Sequence, residues 1–292
     1  AGLAQKTWLV RHEAADGAST PMYSMHQVVR EAVKGQLEIE GSAHVELIGA
    51  CTETLNQSTN SYILAIAAQI VPFATSIFEL VYEENAPITV LSDAIGNYYE
   101  KIAAYPKALE WYFKSLEAKE KVLGKDHLST ATTYNNIAGV YKNQGDYSKA
   151  LEWFFKALDI VEQVLGKDHP NTAATYNNIA SVYNAQGDYP QALEWYFKAL
   201  DIVEQVLGKD HPNTATTYNN IAGVYYSQGD YLKALDWFFK ALTIREKVLG
   251  KEHPHTAATY NNIAGVYDNQ GDYPKALEWY FKALEVYENI LG

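Results

Sequence analysis

The chain has 292 residues, 48% of them hydrophobic, and a formal net charge of −12. That is enough chain and apolar surface for two or more domains. The acidic balance argues against a nucleic-acid partner and against anionic lipid, and a lone Cys51 rules out an internal disulfide, which points to a reducing, cytoplasmic setting.

Residues 1–42 read as a small α/β piece. Thr7 to Arg11 and Met22 to Met25 are short strand-like runs around a polar loop. His26 to Leu37 follows with Val28, Val29, Ala32, Val33 and Leu37 at helical spacing. Lys6, Arg11, His12, Glu13 and Asp16 break any apolar run, so no secretory signal is expected.

Residues 43–85 read as a helical linker, with helices over Ala43 to Leu55 and Tyr62 to Glu84. Tyr62 to Leu80 is long enough to cross a membrane, but Gln69, Pro72 and Glu79 interrupt it. A buried helix pair broken near Pro72 is expected instead, with no membrane partner.

Residues 86–292 repeat themselves. Tyr134, Tyr176, Tyr218 and Tyr260 recur every 42 residues, as do Gly145, Gly187, Gly229 and Gly271 and the tryptophans Trp153, Trp195, Trp237 and Trp279. The full repeats are 128–169, 170–211, 212–253 and 254–292. A degenerate copy occupies 86–127, with Ser92-Asp93-Ala94 where the others have Tyr-Asn-Asn. A fixed period of this size marks a solenoid, whose terminal units are atypical because they face something other than a repeat.

Each full repeat predicts a helix pair. In the first, helix A runs from about Thr130 to Asn143, Gly145 stops it in the left-handed C′ position, and helix B runs from about Ser148 to Leu165. Pro170 restarts the chain, with Asn171 or Thr172 as the expected cap.

Tyr134, Ile137, Ala138, Tyr141, Gly145, Tyr147, Ala150, Phe154 and Ala157 stand at the spacing of the tetratricopeptide repeat, which the array resembles. The period is longer than the usual 34 or so. That length, with Asn-Asn in helix A, is similar to the kinesin light chain subfamily. The resemblance implies an all-α fold, a right-handed superhelix of about five helix pairs. Similar arrays also end NB-ARC-type signalling NTPases. Tyr23 to Glu31 resembles the end of that family's winged-helix domain, with Met25-His26-Gln27 in place of its Met-His-Asp motif. No GxxxxGK[ST] occurs in the chain.

In tetratricopeptide arrays helix A lines a concave groove, and the resemblance places two columns on it. The first holds the asparagine pairs Asn135/Asn136, Asn177/Asn178, Asn219/Asn220 and Asn261/Asn262. Asparagine is a poor helix-interior residue. Its carboxamide suits either an extended peptide backbone or a ladder between adjacent A helices. The second column, Lys142, Asn184, Tyr226 and Asp268, varies where the framework does not. Gly139, Ser181, Gly223 and Gly265 leave room beside both.

Other candidates carry less. The tryptophans serve either packing or an outer aromatic stripe. His127, His169, His211 and His253 lie one repeat apart, on the order of 20 Å, too far to share a metal that needs ligands at about 2 Å. No catalytic motif is present, Cys51 lies in an apolar helix, and no cofactor is expected. Helix B of the last repeat has no polar capping helix after it, which predicts a longer array or end-to-end self-association. The expected function is protein or peptide capture in the groove, as the sensing region of an NB-ARC-type NTPase or as a kinesin-light-chain-like adaptor.

Overall fold

The computed structural model describes residues 9–12, 22–25, 43–56 and 86–291, together with 67–68, 70–72, 74–75 and 78. The chain forms two compact units, residues 1–140 and 141–292.

In the first unit, β1 (Leu9–His12) pairs antiparallel with β2 (Met22–Met25), Leu9 opposite Met25 and His12 opposite Met22. This is the expected hairpin. The expected helix over His26 to Leu37, and with it the winged-helix reading, lies outside the described residues. Helix α1 (Ala43–Asn56) follows. Beyond it Ala67, Val71, Ala74 and Phe78 are buried and helical. Their spacing of four, three and four keeps one helical phase, and Pro72 is itself helical. Residues 69, 73, 76 and 77 lie outside the described residues, and with them the break expected near Pro72. No helix among the described residues is long and apolar enough to cross a membrane.

The degenerate repeat supplies α2 (Ala86–Lys101) and α3 (Tyr105–Val122). One face of it is packed against described residues of α1 and of 67–78. Ile48, Cys51, Leu55, Val71 and Phe78 share a core with Leu91, Ile95, Tyr98 and Trp111. The Trp111 ring meets Phe78 edge-on at 5.0 Å. The boundary repeat departs from the consensus because its neighbour is not a repeat.

Helix α4 (Leu128–Asn143) carries the chain out of the first unit. The second unit holds α5 (Tyr147–Leu165), α6 (Pro170–Gln186), α7 (Tyr189–Val206), α8 (Pro212–Ser227), α9 (Tyr231–Val248), α10 (Pro254–Asn269) and α11 (Tyr273–Leu291). With the earlier helices these make five A/B pairs in sequence, within two residues of the expected bounds where bounds were drawn.

The boundaries have local causes. Gly187, at φ 81°, ends α6 in the left-handed region that side chains other than glycine rarely adopt. Asp188 then accepts from Gln191 N and starts α7. The cap of α6 is neither Asn171 nor Thr172. His169 Nδ1 accepts from Asn171 N at 3.1 Å, and His127, His211 and His253 act alike. Proline holds N1 after His169, His211 and His253, but Leu128 holds it after His127, so the cap belongs to the histidine and not to the proline. Thr172 turns back instead, donating to Gly166 O at 2.7 Å.

Packing follows the period. On α6 the buried stripe is Thr172, Ala173, Thr175, Tyr176, Ile179, Ala180 and Val182. Tyr176 OH donates to Glu162 Oε1 at 2.6 Å, a bond repeated by Tyr218 with Glu204 and Tyr260 with Glu246. Trp195 lies 5.2 Å from the Tyr176 ring and 5.7 Å from Phe155, with Lys198 Nζ 4.4 Å above it. The tryptophans are thus packed between helices. At α11 the pattern stops being covered: Leu277 and Leu284 are 55% and 48% exposed, whereas their counterparts Leu235 and Leu242 are 9% and 5%.

Candidate functional site

The A helices of the second unit are joined directly to one another. Asn177 Nδ2 on α6 donates to Thr217 Oγ1 on α8 at 3.3 Å. Asn262 Nδ2 on α10 donates to Asn219 Oδ1 on α8 at 3.0 Å. Asn269 Nδ2 on α10 donates to Tyr226 OH at 2.6 Å. On α6, positions 174, 177, 178, 181 and 184 are half-buried or exposed, at the spacing of one helical face. The corresponding positions of α8 and α10 continue it, so three A helices present a common open wall.

The α6, α8 and α10 members of both predicted columns lie on it. Asn177, Asn184, Asn219, Asn220, Tyr226 and Asn262 are half-buried, and Asn178, Asn261 and Asp268 are exposed. Lys142 is half-buried, and burial pulls its ammonium below the usual lysine range. Asn135 and Asn136 are half-buried in the first unit, where Asn135 Nδ2 donates to Ala131 O of its own helix.

The hydrogen bonds are incompletely matched. Thr217 donates its own proton to Asn213 O at 3.2 Å, so it must accept from the Asn177 amide. This fixes the carboxamide and leaves Asn177 Oδ1 buried without a partner, as is Asn184 Oδ1. The ladder bond from Asn262 to Asn219 has its counterpart in Asn220 and Asn177, a pair that is not joined. The ladder is made at one junction and open at the other.

Toward the last repeat the wall becomes phenolic. A Cβ added to Gly265 would lie 3.8 Å from Tyr226 OH and 4.0 Å from Tyr280 OH. Burial, and then the charges of Asp268 and Tyr226, push the Tyr280 phenol up. A Cβ added to Gly223 would meet nothing within 4 Å.

Sequence reasoning missed two buried cations. Lys119 Nζ lies 2.5 Å from Asp93 Oδ2 in the first unit, and Arg245 is buried in the second. One signal could have found them: two of the other full repeats have valine at their position, Val161 and Val203. The linker histidines spend Nδ1 on caps, and among the described residues no three His, Cys, Asp or Glu side chains group to hold a metal. Burial pushes the Cys51 thiol up to about 11, which keeps it protonated and unreactive. What the wall offers chemically is amide donors and acceptors at regular spacing.

A tetratricopeptide repeat family model matches residues 87–160, 132–196, 171–247 and 218–289. No curated protein matches the sequence. Among solved structures, BtubC (BKLC) from P. vanneervenii superposes with a TM-score of 0.60 at 21% identity, covering 86% of this chain and 94% of that one. NprR in complex with its cognate peptide NprX gives a TM-score of 0.62 at 17% identity, over 90% of this chain and 73% of that one. A Podosopora anserina protein described as a kinesin light chain with nearly identical TPR-like repeats gives 0.55 at 22% identity, over 68% and 94%. At these identities the likeness is one of fold. The family match spans well over half the sequence, and the chain belongs to the tetratricopeptide repeat family.

Proposed function

We infer that this tetratricopeptide repeat chain captures an extended peptide or protein segment along the wall of α6, α8 and α10. The observation that carries this is the pair of buried, unpartnered oxygens Asn177 Oδ1 and Asn184 Oδ1, seven residues apart on one helix. Buried acceptors are normally satisfied, and the N–H groups of an extended backbone would satisfy these. NprR, similar in fold, binds a peptide, which supports the reading. The finer proposal is the sensing region of an NB-ARC-type signalling NTPase in the cytoplasm, resting on the run Tyr23 to Glu31. The second reading is an adaptor, favoured by the kinesin-light-chain likeness of the array. A P-loop encoded upstream would favour the sensor, and a heptad coiled coil the adaptor. The test is a pull-down with the full chain against a variant carrying Asn177→Ala and Asn219→Ala. Loss of the captured protein with helicity preserved is expected. Unchanged capture removes the asparagines from the site.

A further inference from the structure

The repeat makes each column its own control. One column on the A helices reads Glu100, Lys142, Asn184, Tyr226 and Asp268; one on the B helices reads Tyr112, Phe154, Tyr196, Phe238 and Tyr280. In the degenerate repeat an acid and a phenol meet, and Tyr112 OH donates to Glu100 Oε2 at 2.9 Å. The last repeat again sets an acid against a phenol, Asp268 against Tyr280, but the acid is one methylene shorter. There the two are not joined. Among the described residues neither the Asp268 carboxylate nor the Tyr280 hydroxyl has a hydrogen-bond or ion-pair partner. Both are within reach of a ligand: Tyr280 is 36% exposed, and Asp268 is exposed.

A third oxygen joins them. Asn269 Nδ2 donates to Tyr226 OH at 2.6 Å and to Gly265 O at 2.9 Å, which holds the Tyr226 hydroxyl over the glycine and leaves it a second lone pair. Gly265 has no side chain to fill the space in front of it, where Tyr226 OH and Tyr280 OH stand 3.8 and 4.0 Å from the place of a Cβ. Asp268 follows one turn on along the same face of α10. Its charge, after burial, pushes the Tyr280 phenol up, so the two are near neighbours. At the wall positions of α6, α8 and α10 every other side chain is neutral, and among the described residues no lysine or arginine pairs with Asp268. An ammonium carries three N–H donors and no acceptor, and these three oxygens accept. A ligand carboxylate or carbonyl would instead turn lone pairs toward the Asp268 charge.

We propose that the α10 end of the wall is an ammonium site. Asp268, Tyr280 and Tyr226 receive a primary ammonium of the bound peptide, from a lysine side chain or from the N-terminus. This rests on the peptide-binding reading and names the chemistry of the ligand.

Gly265 reports on the site, and Gly223, its counterpart on α8, is the control. Their amide signals can be followed in glycine-labelled full-length protein and assigned with Gly265→Ala and Gly223→Ala. The probes are three amidated alanine pentapeptides, titrated at constant ionic strength near about pH 6, where both kinds of amine are charged. One is acetylated with a central lysine, one has a free N-terminus, and one is acetylated with a central glutamine. One or both ammonium peptides should shift the Gly265 signal, and which does so identifies the source. The glutamine peptide should not. Asp268→Asn should weaken ammonium binding about tenfold or more. Tyr280→Phe, a residue the fold already accepts at Phe154 and Phe238, should weaken it about threefold. Asp236→Asn removes the same charge from an exposed position of α9 outside the wall and should leave it unchanged. A Gly265 signal unmoved by both ammonium peptides, or a loss no greater with Asp268→Asn than with Asp236→Asn, overturns the site. If the Asn177 and Asn219 alanine variant loses its captured partner while Asp268→Asn keeps it at full affinity, the peptide reading stands and the ammonium site falls.

Discussion

Converting the Asp93–Lys119 pair to the asparagine–valine combination of the next two repeats isolates the energy of the pair, because the fold already tolerates that combination. Asp93→Asn alone leaves the Lys119 ammonium, 2% exposed, without its counter-charge. Removing one partner of a fully buried pair costs about 3–5 kcal/mol. The Asp93 side chain is 18% exposed, and Lys119 keeps its bonds to Thr133 and Ser129, so the cost should fall to about 2 kcal/mol. Lys119→Val alone should cost about 1 kcal/mol, since the partly exposed carboxylate can take up water. The double variant recreates Asn135 with Val161, or Asn177 with Val203, and should lie within about 0.5 kcal/mol of the parent. The coupling is then about 3 kcal/mol. Repeat arrays need not unfold in one step, so hydrogen exchange of the α2 and α3 amides is the assay. Additive single effects, with a double variant about 3 kcal/mol less stable, would refute both the pair's role and the column comparison built on it.

Alkaline pH should weaken the array. Burial and the Glu120 hydrogen bond push the Tyr134 phenol up to about 12, against about 10 in an unfolded chain. Its contribution is whole below pH 10 and lost as pH rises through 12, and in the thermal midpoint measured against pH, Tyr134→Phe should flatten that part of the fall. His169→Ala and His211→Ala should each cost about 1 kcal/mol, seen in thermal unfolding, whereas His169→Asn should retain the cap. Gly223→Ala should stabilise α8 by about 0.5–1 kcal/mol; Gly223→Leu should keep the melting temperature yet block capture, which the pull-down reads. Leu277→Glu with Phe281→Glu on α11 should abolish any concentration dependence in light scattering, and a parent chain that is monomeric throughout the series would end the self-association idea.

Elements were legible because their signals are local and repeated. Gly187 and Asp188 mark a stop and a start by backbone preference alone, and the 42-residue register assigns every other copy. The caps were misread because a neutral histidine before the helix accepts through Nδ1, a role that composition assigns to Asn171 or Thr172. At the candidate site the two columns could be read by offset. The state of each carboxamide could not, since Asn177 is fixed by what Thr217 does with its own proton. Arg245 was passed over because at helical spacing it reads as a surface charge. Contact with Thr259 and His255 shows it as a buried one, which the valines at its position in two other repeats already signal.

The distribution of unfavourable choices separates framework from site. The buried stripes are built from Ala, Ile, Val and Thr, and Ile137, Ile179, Ile221 and Ile263 are all fully buried. The outer tryptophans are complete in themselves, each half-buried and stacked by a lysine, as with Lys240 over Trp237 at 3.9 Å. On the wall the chain instead keeps residues that disfavour a helix. Glycine costs about 1 kcal/mol relative to alanine in a helix interior, with asparagine costing somewhat less. The Asn262–Asn219 bond offsets part of that cost at one junction. Nothing offsets it at Gly223, where an added methyl would touch no neighbour. Nor is it offset at Asn177 and Asn184, whose oxygens have no donor. Under the peptide-binding reading, a guest that is narrow and rich in N–H groups would relieve these costs, and the chain without one carries them as lost stability.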